Sequence, residues 1–249
     1  MISIVIPYLH SEVIWDELIF TVRSIDKYFS EDHQIILVGD RHTKQDIPVI
    51  SCEQIKGKQF SKCTDSIKKM NCICDSAEIT EDFVYWYDDI VLLKEINLSF
   101  FEIQYFLQNM SGLKILGNSN YEQLKAETYF MLKKNNLPLF NFETHLPKLF
   151  NKSLMKDLLH KFIKSDSHLL INSLYCNYYH KTKPVELHLE DSIKAGFYGN
   201  SNAYGFGQVN DYSGILKNKT FLNYNNRGLS ESLKKYIIAH FYDKSRYEK

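Results

Sequence analysis

Two acids with no residue between them, Asp88 and Asp89, are the part of this chain best suited to chemistry. They interrupt two apolar, β-prone runs, Phe83-Val84-Tyr85-Trp86-Tyr87 before them and Ile90-Val91-Leu92-Leu93 after them. Runs of this composition read as buried strands. Adjacent carboxylates at the end of a buried strand repel each other and are costly to desolvate unless a cation joins them. Mn²⁺ or Mg²⁺ suits that position, because such ions take oxygen ligands and leave coordination sites for a substrate phosphate. A solvated turn carrying two surface acids is the other reading of the same spacing.

The elements that must position these acids follow from periodicity. Residues 3–6 form a short apolar run ended by Pro7. That predicts a central strand, stopped where the next residue cannot donate a ladder hydrogen bond. Val13, Ile14, Leu18, Ile19, Val22, Ile25 and Phe29 recur at helical spacing and predict a helix over about 11–29. Gln34 to Val38 predicts the second strand, closed by Gly39-Asp40. Strand, helix, strand is the signature of a parallel sheet with a right-handed crossover. Ligands on such sheets gather at the carboxyl ends of the strands. Pro7-Tyr8, Gly39-Asp40 and Asp88-Asp89 then share one edge, if all three strands run parallel.

Further along, the pattern predicts a short strand at 48–51 and helices over about 61–77, 100–110, 121–134, 152–163, 167–178 and 230–241, with a strand near 219–222. The second half is poorer in β-branched runs and richer in helix. Between Gly196 and Gly214 lie five of the chain's ten glycines, interleaved with Tyr198, Tyr204, Phe206 and Tyr212. Such a stretch suits a lid that orders over a bound ligand, or a static surface loop. No internal repeat or low-complexity linker divides the chain, which predicts a single domain over 1–249.

Composition narrows the partners. Lys plus Arg and Asp plus Glu number 30 each, so no global basic field favours a nucleic acid. The 17 tyrosines and 16 phenylalanines are numerous enough to line a sugar or base pocket, although such residues also simply pack. Five cysteines, an odd number, argue against a secreted disulfide framework, and Cys72-x-Cys74 is too tightly spaced for a zinc knuckle. The first residues enter a strand at once, without a basic leader, and no window approaches 18 uninterrupted apolar residues. A cytoplasmic location with reduced thiols is expected, with peripheral membrane association left open.

Taken in order, these segments resemble nucleotide-sugar glycosyltransferases of the GT-A fold, the small bacterial capsule and lipopolysaccharide transferases and the Stealth-type proteins among them. Ser3-Ile4-Val5-Ile6-Pro7-Tyr8 is similar to their opening strand, and Ile35 to Asp40 to their second. Glu17-Leu18 through Arg23-Ser24-Ile25 resembles their first helix, and Tyr85-Trp86-Tyr87-Asp88-Asp89 their acidic metal motif. Thr144-His145-Leu146-Pro147 resembles a His-x-Pro segment of the same proteins. The likeness implies an α/β fold with a mostly parallel sheet flanked by helices and an α-rich C-terminal portion. Residues 1–110 would be the nucleotide-binding half and 111–249 the helix-rich acceptor side.

It also implies a metal-dependent transfer of a sugar from a nucleotide-sugar donor, a UDP-sugar first, to a glycan or lipid-linked glycan acceptor. Asp89 would hold Mn²⁺ or Mg²⁺, and Asp88 would share it or face the sugar hydroxyls. The usual first acid of the motif falls at Tyr87, which departs from the family pattern. Pro7, Tyr8 and Asp40 would border the base and ribose, and Arg23 could clamp phosphate with its planar fork. For the acid–base group Asp191, in Leu189-Glu190-Asp191-Ser192, and His145 are the candidates, with Glu143 close by. A Stealth-type sugar-1-phosphate transferase and a non-catalytic nucleotide- or glycan-binding protein are the competing readings.

Overall fold

The computed structural model describes residues 1–55, 60–112, 119–164, 167–179, 182–188, 191–198 and 212–249. Its first part alternates β1 (Ile2–Tyr8), α1 (Glu17–Tyr28), β2 (His33–Gly39), β3 (Val49–Ser51), α2 (Ser61–Asp75), β4 (Asp82–Tyr85) and β5 (Ile90–Leu92). Next come β6 (Tyr105–Phe106), β7 (Gln108–Asn109), α3 (Asn120–Lys134), β8 (Phe140–Asn141), β9 (Lys148–Asn151) and α4 (Lys152–Phe162). The chain closes through α5 (Ile171–Tyr179), β10 (Val185–Glu186), β11 (Lys194–Phe197), α6 (Tyr212–Leu216), β12 (Phe221–Tyr224) and α7 (Glu231–His240).

The central sheet has the order β3-β2-β1-β4-β9. Its first four strands are parallel and β9 runs antiparallel to β4. After β1 the chain builds outward through β2 and β3, then returns to the other side of β1 for β4. The carboxyl ends of β1 and β4 therefore flank a topological switch point, where α/β sheets leave a crevice. A second sheet, β11-β12-β5, stands beside the first.

Pleating sends alternate side chains to opposite faces. Val5, Ile36, Val38, Phe83 and Tyr85 meet α2, α4 and α5 on one face. Ile4, Ile6, Ile35, Leu37, Val84 and Trp86 meet α1 on the other. Both faces are covered, which is why these strands read as continuous apolar runs. All five cysteines are free thiols. Among the described residues no helix is long and apolar enough to cross a membrane.

Several elements differ from the sequence expectation. β1 does not stop at Pro7 but continues to Tyr8, in register with β2. The Val5 carbonyl accepts from the Trp86 amide on the β4 side, and Pro7 has the same parity. β4 pairs only as far as Val5, so the missing Pro7 N–H falls where no partner strand remains. α1 begins at Glu17 rather than near Ser11, because the Glu17 carboxylate accepts from the Ile14 and Trp15 amides and fixes a non-helical entry. The helix expected over 100–110 is a short 3₁₀ turn, Leu98–Glu102, followed by β6 and β7. Most of the glycine-rich stretch with its expected lid, residues 199–211, lies outside the described residues.

Candidate active site

Tyr87, Asp88 and Asp89 form the corner where the chain leaves β4 in the first sheet and enters β5 in the second. α1 fastens that corner from beneath. The Thr21 hydroxyl donates to the Asp88 carbonyl at 2.8 Å, and the Ser24 hydroxyl accepts from the Leu92 amide at 2.9 Å. The Trp86 indole, on the same face and buried completely, donates to the Ile90 carbonyl at 2.9 Å. The acids are thus held on a corner fixed by hydrogen bonds, not carried on a free turn.

Burial, followed by the charges of Asp89 and Glu17, pushes the Asp88 carboxyl up to about 7, while Lys69 pulls the other way. Asp89 faces His145, whose Nε2 lies 3.3 Å from its Oδ1. His145 has a φ of +51°, a left-handed conformation uncommon for a residue with a side chain. Its carbonyl accepts from the buried Asn223 amide at 2.6 Å, and the Tyr87 ring meets its imidazole edge-on at 4.7 Å. Strain of this kind persists only where surroundings over-determine it, and it clusters at functional sites.

Two buried ammonium groups lie behind His145. Lys194 donates to the Thr144 carbonyl at 2.8 Å and Lys148 to the Thr144 hydroxyl at 3.4 Å. Burial pulls Lys194 down to about 8, opposed by the attraction of Asp89 and reinforced by Lys148. Next to the corner, a cleft of about 470 Å³ opens between the loop after β1 and the start of α2. Leu9, Glu12, Ile55, Lys62, Asp65 and Lys69 line it. Lys69 and Asp65 form a buried ion pair at 2.9 Å, and Asp65 also accepts from the Ile55 amide.

The residues singled out from sequence fare differently. Asp88, Asp89 and His145 come together. Pro7 and Tyr8 end β1 at the same edge, and the buried Tyr8 phenol is pushed up to about 12 by burial and then by Asp88 and Glu17. Asp40 reaches this edge but is exposed, and its carboxylate accepts from the His10 amide at 2.9 Å. Asp191 is not brought to the acid pair. Its carboxylate accepts from the His188 amide at 2.7 Å, in a tight turn, and its charge acts on Tyr105. Glu190 lies outside the described residues.

Arg23 is a correction. Its guanidinium grips both oxygens of Glu248 at 2.6 Å each and donates to the Phe241 carbonyl at 2.7 Å, so its fork is already occupied. The pair ties α1 to the C-terminal tail with side chains only 15% and 8% exposed. Arg23→Met is therefore expected to cost about 3 kcal/mol, because the buried Glu248 carboxylate keeps only the Ser245 amide and hydroxyl as partners. Chemical denaturation measures that cost, and nucleotide affinity should not change. Unaltered stability would dismiss the structural role.

Nothing in the local sequence marks Lys69, Lys194 or Thr21 as residues of this site. Lys194 and Asn223 come from strands β11 and β12, far along the chain, and carry no local motif.

No family model and no curated protein matches the sequence. The structure does find relatives. It aligns with the apo form of WbbM, a bifunctional glycosyltransferase, over 98% of this chain and 50% of that one, with a TM-score of 0.51 and 10% identity. This is a glycosyltransferase fold. The galactosyltransferase LgtC, in complex with donor and acceptor sugar analogs, aligns over 98% of both chains with a TM-score of 0.49 and 7% identity. GlyE of Streptococcus pneumoniae TIGR4, in its apo form, aligns over 97% of this chain and 60% of its own with a TM-score of 0.43 and 12% identity. In open α/β sheets generally, a switch-point crevice is where ligands bind. Which ligands enter is a matter for the side chains there.

Proposed function

We propose that the protein is a glycosyltransferase moving a sugar of the hexose type from a nucleotide-sugar donor to a surface polysaccharide or related glycan. A UDP-sugar is the first donor to test. One observation carries the reading: Asp88 and Asp89 stand at the switch point of the sheet, with His145 Nε2 3.3 Å from Asp89 Oδ1. Carboxylate oxygen and imidazole nitrogen together suit Mn²⁺, and two such donors leave coordination sites for diphosphate oxygens. Among the described residues no three His, Cys, Asp or Glu side chains are grouped as a complete metal site. Asp89 and His145, with Asp88 beside them, would hold a cation shared with the donor. When bound, that cation offsets the charge gathering on the leaving diphosphate.

The chain's own residues do the rest. The 470 Å³ cleft lined by Lys69 and Asp65 is the space for the nucleotide, with Leu9, the residue after β1, on its wall. Lys194 adds a positive charge that needs no ion, in surroundings where such a charge counts for more than in water. The assay is incubation with a panel of nucleotide sugars and Mn²⁺, followed by analysis of the nucleotide released. Nucleoside diphosphate supports this reading. Monophosphate would point instead to sugar-phosphate transfer, and no release from any donor would overturn both.

Lys194 makes the donor's affinity depend on pH. Its free-state value is about 8, and a bound diphosphate favours the charged form, so binding is accompanied by proton uptake above that value. Affinity is then fully present below about pH 8 and falls with rising pH, by at most roughly tenfold per unit. Calorimetry with UDP across pH 7–10 tests it. Lys194→Met should remove the slope as well as weaken binding, and a wild-type slope that survives in this variant would dismiss the role.

A further inference from the structure

We propose that a second cleft, between α2 and the start of α5, is a subsite for one polyhydroxylated ring, with Glu143, Asn172 and Tyr87 reading its hydroxyl groups. The cavity measures about 230 Å³ and shares Lys62 and Ser66 with the larger cleft described above, so the two are neighbours across α2. Its location deepens the glycosyltransferase reading, on which it rests, and names residues that no comparison assigns.

Glu143 lines this cleft. Its Oε1 accepts from the Ser173 amide at 2.9 Å and the Ser173 hydroxyl at 3.0 Å, and its Oε2 from the Asn172 side-chain amide at 2.7 Å. These donors sit on the first turn of α5, whose N-terminus favours a negative charge. The carboxylate is consequently fixed in place. A carboxylate has about four lone-pair sites, and these three bonds leave Oε2 with room for another donor.

Its neighbours supply a complementary set. The Asn172 amide nitrogen also donates to the Tyr87 hydroxyl at 3.1 Å. That leaves the Tyr87 hydrogen available to donate, and the Asn172 side-chain oxygen Oδ1 accepts no hydrogen bond from the described residues. Tyr85 and Tyr87, ring centroids 5.5 Å apart, add aromatic surface to the same wall. Two acceptors and a donor around aromatic surface match a sugar ring, which carries adjacent hydroxyls and apolar C–H faces. Tyr87 also touches His145, which meets Asp89, so a ring bound here is two side chains, Tyr87 and His145, removed from Asp89.

Such a ring could arrive on the donor or on the acceptor, and the two sources separate experimentally. Wild type, Glu143→Gln and Cys63→Phe are compared. The first removes the charge at nearly constant shape, and the second fills the cleft from α2 without touching Glu143. Thermal melting confirms that each is folded, and if Cys63→Phe is not, Glu143→Gln decides alone. UDP, UDP-glucose and UDP-galactose are titrated calorimetrically, and methyl glycosides of glucose, galactose and N-acetylglucosamine are followed by saturation-transfer NMR.

Occupancy by the donor sugar predicts that UDP binding is unchanged while the extra affinity of a UDP-sugar falls roughly 10- to 100-fold. Occupancy by the acceptor predicts glycoside signals in the wild type that persist with donor bound and vanish in the variants. Either result upholds the subsite. If neither measurement responds to Glu143→Gln, the subsite is overturned. Failure of the wild type to bind any nucleotide would count against the donor reading alone, because the glycoside signals are read without nucleotide.

Discussion

Asp89→Asn is expected to abolish Mn²⁺-dependent nucleotide binding and to lower transfer at least roughly 100-fold, since several kcal/mol of charge stabilisation is at stake. The apo protein should remain folded. Asp89 contributes repulsion to Asp88, the second largest cause of that carboxyl's rise to about 7, and the substitution removes it. It also removes the charge from the contact with His145, but the loop around that residue keeps its bonds from Asn223 and Lys194. Thermal melting with and without Mn²⁺ and UDP separates the two effects, because a ligand that binds only the folded state raises the melting temperature. The wild type should shift with metal and nucleotide together, and the variant should not. A variant that shifts like the wild type would place the metal elsewhere.

The parts of this molecule legible from sequence are those written in local periodicity. Ile4, Ile6, Ile35 and Leu37 announce strands buried on both faces, and their order with α1 between them dictates a parallel pair. The acid corner is legible for the same reason, because Phe83 to Leu93 is apolar except where it turns. What local pattern cannot encode is the partner. Arg23 looks like a free cation on a helix until Glu248, 225 residues later, folds back onto it. Asp191 resembles a catalytic acid as one of two letters, yet it satisfies the amide of His188, three residues before it. Segment 100–110 has enough apolar residues for a helix, but Tyr105-Phe106 and Gln108-Asn109 instead find β-partners at Val185-Glu186 and Phe140-Asn141. Pairing of that kind overrides propensity and leaves no mark in the segment itself.

Gly39→Ala is expected to lower stability by about 3 kcal/mol. Gly39 ends β2 with a φ of +125°, a region closed to residues with a side chain. A Cβ placed there would lie 2.3 Å from the Tyr8 carbonyl oxygen, and that oxygen belongs to the backbone of a central strand. The same oxygen accepts from the Asp40 amide at 3.0 Å, so it cannot withdraw without breaking the bond that closes β2 onto β1. For a chain of this size the cost corresponds to a fall in melting temperature of roughly 6–12 °C. Gly112→Ala is the control, since nothing lies within 4 Å of its Cβ position, and it should change stability by less than about 0.5 kcal/mol. The damage should reach the site as well, because Tyr8 and Asp40 move together when this junction is forced apart. UDP affinity of whatever fraction remains folded should therefore drop in Gly39→Ala and hold in Gly112→Ala. Equal melting temperatures for the two variants would mean that β1 and β2 do not meet at their carboxyl ends as described.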